Sequence, residues 1–398
     1  MKFQEILDFC DQALKINEKQ FDKAINKNRF QQTTIEYYSY KNESSRIQKY
    51  LIEQKSFALE QLDKFEEAIS CWDWAIKMDK KNKNNYEQKS QILQKMGRLN
   101  QVIECWQQAV QQNKNNICFY QKMANALERI NRNEEIIECW QQGILNNKND
   151  LEFYKQKSHA LTKQERIEEV IDCWQLGIQN NNKDIQFYLQ KANILENLGR
   201  SKELIECWDL GIQLNLSDET FYVQKVMALE KQNKINEIIE CWDLGISNNK
   251  NSCYYYTEKS SFLEKYGRFE EMIDCWYQAI KNNKNNLLFY QQNSSLLLKL
   301  DRIKEAIDLW DQGIKNNKIQ EQFYIEKVIL LEKYGSFEQI IDCWNQGIEH
   351  NKMNQFFYQQ KANALEKVEQ FDLVIKCWDL GIQNNKRKKF YYIQKGYD

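Results

Sequence analysis

Apolar residues recur along this chain in two alternating helical registers, and both registers repeat every 34 residues. The units run 49–82, 83–116, 117–150, 151–184, 185–218, 219–252, 253–286, 287–320, 321–354 and 355–388. Position 4 is Tyr in nine of the ten (Ile52 in the first), position 8 is a small residue or Val, and position 11 is always Leu. That spacing marks one face of a helix, helix A. Positions 20, 21, 24, 27 and 28, as in Leu204, Ile205, Trp208, Gly211 and Ile212, mark a second, helix B. Trp occupies position 24 in every copy, from Trp72 to Trp378, inside a recurring Ile-[Glu/Asp]-Cys-Trp phrase. Around position 15 stand Gly97, Gly199, Gly267 and Gly335, or polar residues, as a turn requires. Ten copies without an insertion predict ten stacked helical hairpins, an all-α solenoid.

The ends depart from the pattern. Phe3, Ile6, Leu7, Cys10, Ala13 and Leu14 repeat the spacing of a helix B, so residues 1–48 are expected to form an N-terminal helical cap: a half repeat followed by an irregular segment. In that segment Ile35, Tyr37, Tyr38 and Tyr40 could cover the end of the stack. Residues 389–398 open a partial eleventh unit, with Tyr392, Lys395 and Gly396 at positions 4, 7 and 8.

Gly at position 27 (Gly143, Gly177, Gly211, Gly245, Gly313, Gly347 and Gly381) costs about 1 kcal/mol against Ala inside a helix. Its recurrence implies that another backbone or an aromatic ring presses there, and Trp at 24 is the expected counterpart.

These units resemble the tetratricopeptide repeat, whose 34-residue helix-turn-helix carries an aromatic at 4, a small residue at 8, an aromatic or Leu at 11, an aromatic at 24 and a small residue at 27. Tyr188-x-x-Lys191-Ala192-x-x-Leu195, Leu198-Gly199-Arg200 and Ile205-Glu206-Cys207-Trp208-x-x-Gly211-Ile212 carry the likeness, which covers residues 49–388. It implies a right-handed solenoid with a concave groove for extended or helical peptides. Two positions depart from the family: 20 is mostly bulkier than Ala (Val102, Ile136, Leu204, Ile238), and the usual Pro at 32 is Lys or Asn in most copies.

Composition removes several function classes. The 398 residues carry 56 basic and 57 acidic side chains, so no cationic excess marks a nucleic-acid binder. Lys at position 7 forms a periodic stripe, but its stems are expected to pack and its ammonium groups to meet carboxylates or water. No run of about 18 apolar residues offers a membrane span, and residues 1–20 lack a signal peptide's apolar core. Nine of the twelve Cys fall in one column at position 23. Helices of neighbouring units about 8–10 Å apart would keep that column out of disulfide reach, so reduced, packed thiols in a cytoplasmic setting, or within a cilium or the cytoskeleton, are expected. Proline is absent while Asn, Gln, Lys and Ile abound, as AT-rich codon usage in a protist would produce. Helix starts and turns must then rely on Asn, Asp and Ser.

No constellation for catalysis is present. All twelve glycines fall at positions 27, 15 or 8, leaving none for a phosphate-cradling loop, and neither a nucleotide-binding motif nor a zinc motif occurs. His159 is expected on a solvated face and His350 in the turn after a helix B. The expectation is a non-enzyme without cofactor or metal.

Partner-specific information should lie where the copies differ. Positions 5, 9 and 12 form a helix A stripe about 100° from the buried face, the stripe that lines the groove in the resembled family. It is mostly polar, with Glu at 12 in seven copies. Two apolar islands interrupt it: Leu189, Val223 and Met227, then Leu298, Ile325 and Ile329. Clustered exposed apolar side chains mark interaction sites, while scattered ones are ordinary, and both readings stay open. Asn125, Asn193 and Asn363 could hydrogen-bond a peptide backbone. The family's clamp for a chaperone's C-terminal carboxylate needs Lys at 5 and Asn at 9, whereas the only Lys at 5, Lys155, is followed by His159. The function expected is a scaffold holding a protein or peptide in its groove, with partner-binding residues Leu189, Asn193, Val223, Met227, Leu298, Ile325 and Ile329. The alternatives are an architectural subunit of a ciliary or cytoskeletal assembly and an RNA-binding solenoid.

Overall fold

The computed structural model describes residues 2–27 and 34–397. The side chains of residues 20–45, with Ile35, Tyr37, Tyr38 and Tyr40 among them, and of residue 397 lie outside the described set. Every regular element among the described residues is a helix. The chain forms two compact bodies, Met1–Cys207 and Trp208–Asp398. The first holds α1 (Lys2–Lys27), α2 (Thr34–Gln61), α3 (Phe65–Met78), α4 (Lys83–Lys95), α5 (Leu99–Gln112), α6 (Ile117–Glu128), α7 (Asn133–Asn146), α8 (Leu151–Thr162), α9 (Ile167–Asn180) and α10 (Ile185–Asn197). The division falls within α11 (Ser201–Leu214). The second body continues with α12 (Glu219–Glu230), α13 (Ile235–Asn248), α14 (Cys253–Lys265), α15 (Phe269–Asn282), α16 (Leu287–Lys299), α17 (Ile303–Asn316), α18 (Glu321–Tyr334), α19 (Phe337–His350), α20 (Gln355–Glu366), α21 (Phe371–Asn384) and α22 (Lys389–Tyr397). Even-numbered helices from α4 onward are the A helices and odd-numbered ones from α3 the B helices. Within each body, helices adjacent in sequence pack as successive hairpins.

Local sequence accounts for the helix boundaries. Position 34 is Asn or Asp in most units, and its side chain caps the next helix A: Asp150 accepts from the Glu152 amide (3.0 Å) and Asn354 from that of Phe356 (3.0 Å). Each such cap contributes about 1 kcal/mol. The A–B turn places position 15 at positive φ in nine units, with Gly, Asn, Asp or Glu there. Unit nine differs: Gly335 is extended, and α19 opens instead with a capping box between Ser336 and Gln339. Glu165 and Glu369, both at φ +58°, are the residues least suited to this conformation. A left-handed non-glycine costs about 1–2 kcal/mol, and glycine's extra unfolded-state freedom costs about 0.5–1 kcal/mol. Glu369→Gly is therefore expected to stabilise the chain by about 0.5–1 kcal/mol, seen as a raised thermal midpoint; an unchanged or lowered midpoint would show the glutamate to be unstrained.

The position 27 glycines meet a different ring from the one expected. A Cβ built on Gly143 would lie 2.3 Å from Phe153 Cδ1, and one on Gly177 2.4 Å from Phe187 Cδ1. In the second body Gly245 meets Tyr255, Gly347 meets Phe357 and Gly381 meets Tyr391 in the same way. The pressing residue is thus the aromatic at position 3 of the next helix A, not Trp at 24. Trp stands behind that ring: Trp140 and Phe153 are 6.2 Å apart, and Tyr120 meets Phe153 edge-on at 5.1 Å. The tyrosine at position 4, the tryptophan at position 24 and the following unit's ring at position 3 together form the core of each junction.

A hydrogen-bond node fills the place of the missing proline. The Lys114 carbonyl, at position 32, accepts from Tyr120 Oη (3.0 Å) and from Asn147 Nδ2 (2.8 Å) of the next unit. Asn146 Nδ2 in turn donates to Tyr120 Oη (3.1 Å). The same node recurs at Lys148, Leu216, Lys284 and Lys352. At Lys318, His350 replaces the first Asn, its Nδ1 lying 2.8 Å from Tyr324 Oη. His350 therefore closes α19 as a structural member of a node rather than lying in the turn beyond it.

At the N-terminal end α1 buries Leu7 and Cys10, and Asp11 pairs with Lys55 of α2. Helix α2 runs unbroken through residues 48 and 49, so the first helix A is the second half of a longer helix. At the C-terminal end, Tyr391 at position 3 is fully buried over Gly381, while Tyr392 at position 4 is 50% exposed.

Candidate partner-binding site

Helix A turns its position 8 toward the indole at position 24 of its own unit. Trp174 Nε1 donates to Ser158 Oγ (3.1 Å), and Trp310 Nε1 to Ser294 Oγ (3.0 Å). In unit six position 8 is Val226, which offers no acceptor. Trp242 is 3% exposed, and its Nε1–H has no hydrogen-bond partner among the described residues. Burying such a donor unpaired costs about 1–3 kcal/mol.

Trp242 and Val226 line a groove of about 310 Å³ between α12 and α14. Its apolar wall also holds Val223, Met227 and Phe262, and its polar edge Glu230, Glu258 and Lys265. Lys265 Nζ lies 3.2 Å from Glu230 and 5.5 Å from the Tyr266 ring centroid. A groove of the same register opens in the first body, where Glu87, Ser90, Gln94, Trp106, Lys122 and Arg129 make it polar and smaller, about 190 Å³. Positions 5, 8, 9, 12 and 24 of one unit and 6, 9, 10 and 13 of the next supply both linings. What separates the two grooves is therefore residue identity at fixed places.

The cations at the recurring positions 7, 13 and 16 are largely paired within the fold. Lys at 7 pairs with Asp at 25 of the preceding unit: Lys89 with Asp73 (2.5 Å), Lys259 with Asp243 (2.6 Å), Lys327 with Asp311 (2.5 Å). Lys at 13 meets Glu at 12 of the preceding unit, as in Lys163–Glu128 (2.8 Å) and Lys367–Glu332 (3.2 Å). Arg at 16 bridges two units: Arg302 holds Glu270 (2.9 Å) and Glu305 (2.7 Å). Three rungs of the 12–13 series depart from Glu, at Gln94, Thr162 and Leu298. Leu298 stands where Glu would, and Lys333 lies over the Tyr334 ring (4.8 Å).

Cys71 in the first unit is half-buried; from Cys105 onward the position 23 thiols are buried, and they donate to the carbonyl of the position 4 tyrosine in their own unit, as in Cys105 to Tyr86 (3.8 Å) and Cys139 to Tyr120 (3.7 Å). Burial pushes both up to about 12, so they are protonated at neutral pH. Among the described residues no cluster of three or more His, Cys, Asp or Glu could hold a metal, and no helix is long and apolar enough to cross a membrane.

Of the residues singled out from sequence, the structure brings Val223 and Met227 together in the Trp242 groove, with Met227 48% exposed. Leu298 is half-buried on α16; on α18 Ile325 is half-buried and Ile329 57% exposed, at groove-register positions 12, 5 and 9. Leu189, half-buried, and Asn193, exposed, stand on α10 in the first body. Sequence reasoning missed Val226, Trp242, Glu258, Phe262 and Lys265, because a stripe of 5, 9 and 12 leaves out the second helix that completes the groove. Val at position 8, shared with Val328, offers the indole no acceptor and was the one legible sign on α12.

No family model and no curated protein matches the sequence. Among solved structures, the chain aligns with one chain of a Naa15/Naa10 assembly bound to HypK-THB, at 10% identity and a TM-score of 0.33, over 98% of this chain. This chain spans 65% of that one's length. It also aligns with YrrB, a TPR protein with an unusual peptide-binding site, at 15% identity and a TM-score of 0.25, over 48% of this chain and 98% of that one. The chain is an array of 34-residue helical hairpins, and its Tyr at 4 in nine of ten units, Leu at 11, Trp at 24 and Gly or Ala at 27 make the repeat tetratricopeptide-like in pattern.

Proposed function

We propose that this chain is a non-enzymatic protein-interaction scaffold that holds a peptide segment of a partner protein against its A helices, with the Trp242 groove as anchor. The observation that carries this reading is the buried, unpartnered indole N–H of Trp242 in a groove with an apolar wall. A partner's backbone carbonyl would satisfy that donor while an aliphatic side chain enters between Val223, Met227 and Phe262. Leu298, Ile325 and Ile329, and Leu189 and Asn193, are assigned to further partner contact. The ten units form the working body, with residues 1–48 and 389–398 as its caps. The internally paired cations support a protein partner over a nucleic acid, and the protonated thiols suit a reducing, cytoplasmic setting.

A photo-crosslinker placed at position 227 is expected to capture a discrete peptide of a partner. The same group at Leu145, a 61% exposed helix B residue, should not capture it. Met227→Glu should then weaken binding of that peptide at least about thirtyfold, roughly 2 kcal/mol, without changing the thermal midpoint. Equal crosslinking at both positions, or recovery only within an insoluble assembly, would replace this reading with an architectural role.

A further inference from the structure

From the second unit onward each junction described above is filled by three rings. At the first junction two of the three are missing. Position 4 of the first unit is Ile52 where the others have Tyr, and position 3 of the second unit is Asn85 where every later unit has Phe or Tyr. Asn85 is 3% exposed and spends its Nδ2–H on the Ala75 carbonyl (3.0 Å), leaving the space over Ala75 unfilled by a ring. Ala75 accordingly keeps 8% exposure, while Ala109 and Ala279, each beneath a Phe, have none.

The result is an open cavity of about 550 Å³ whose apolar walls include Ile52, Trp72, Trp74, Ala75 and Met78. Trp72 is 3% exposed, lines this cavity, and has no hydrogen-bond partner for its Nε1–H among the described residues; nor has the Ser56 hydroxyl at position 8 of the same unit. At the rim stand Arg46 and Lys49 of α2 and, opposed to them, only Asp79.

We propose that this cavity is a binding site for an aromatic side chain of a partner polypeptide, with an acidic residue beside it. The rest of the array argues for an aromatic occupant. In the later junctions of either body the same pocket, made by the tryptophan at position 24 and the small residue at 27, is filled by a Phe or Tyr ring. The rim's single excess of positive charge selects a neighbouring carboxylate. The site lies wholly within the first body.

The test uses the full chain and N-acetyl-Asp-Phe-amide as probe, followed by the ¹⁵N indole resonance of Trp72, assigned by its loss in Trp72→Phe. The probe should shift that signal saturably. N-acetyl-Asp-Ala-amide should bind at least about tenfold more weakly and N-acetyl-Lys-Phe-amide more weakly than the Asp form. Asn85→Phe should raise the thermal midpoint and abolish binding; Asn85→Leu, which narrows the slot with less risk to folding, should weaken it. Equal binding of the alanine probe, an unmoved Trp72 signal, or undiminished binding by both variants would overturn the proposal. p-Cresol binding as tightly as the peptide would also overturn it, making the cavity a small-molecule site.

Discussion

Phe153→Ala is expected to destabilise the chain by about 3–5 kcal/mol, the range for emptying a fully buried phenylalanine site. Phe153 has no exposed surface and touches Tyr120, Trp140 and the bare backbone of Gly143 at once. In an array whose units contact only their neighbours, the damage should stay local. Hydrogen exchange should quicken in α7 and α8 while α16 and α17 keep their protection. Uniform loss of protection would mean that the array unfolds as one unit.

The same junction makes a sharper prediction through its glycine. Where Ala109 and Ala279 stand in place of Gly, the next ring sits 5.8 Å (Tyr86–Phe119) and 5.4 Å (Tyr256–Phe289) from its tyrosine. Over Gly143, Gly177 and Gly313 that distance is 5.1 Å. The ring retreats from one methyl group, so Gly143→Ala in the wild-type chain should be nearly neutral: its helix propensity gain of about 1 kcal/mol is offset by the displaced ring. In the Phe153→Ala background nothing obstructs the methyl, and the same substitution should stabilise by about 1 kcal/mol. Purely additive energies would show that ring and glycine are not coupled.

The second large effect is a gain. Asn293 has no exposed surface, and neither amide atom of its side chain has a partner among the described residues. Lys elsewhere occupies this register opposite Asp, Asn or Gln at position 25, but unit seven offers Tyr277 there. Unit three has Met123 at the same position, buried opposite Gln107. Asn293→Met should therefore remove two unpaired polar atoms and stabilise the second body by about 2 kcal/mol. The check is slower hydrogen exchange in α15–α17. A destabilised variant would mean that the amide is satisfied in solution.

Periodicity made the hairpins, both helices of each unit and the turn at position 15 legible, because hydrophobic spacing reports which side of a helix faces its own hairpin partner. It reported less well on the second apolar side of helix A, which faces the preceding unit. Phe153 and Tyr154 are neighbours in sequence, yet one presses on the previous helix B and the other bonds within its own unit and the loop before it. Reading one stripe per helix left position 3 without a role, and Trp at 24 was assigned to the glycine in its stead. The asparagines at 30 and 31 were legible too, but abundance attributed to codon usage hid their function as donors, the first to the tyrosine hydroxyl and the second to the position 32 carbonyl. The groove was half visible: Val223 and Met227 differ from the other copies, while Trp242 does not differ at all and matters only through the apolar side chains set around it.

The hydrogen-bond node has an evolutionary consequence. Each node takes its acceptor carbonyl from one unit and its tyrosine and asparagine donors from the next, and each glycine seat takes its ring likewise. Excising residues 117–150 by unequal crossing-over would bring Ala109 beneath Phe153 and present the Lys114 carbonyl to Tyr154 and Asn181, every part still matched by kind. Loss or gain of one whole copy therefore preserves all the joints, and a lineage can vary the length of this protein without inventing a new contact.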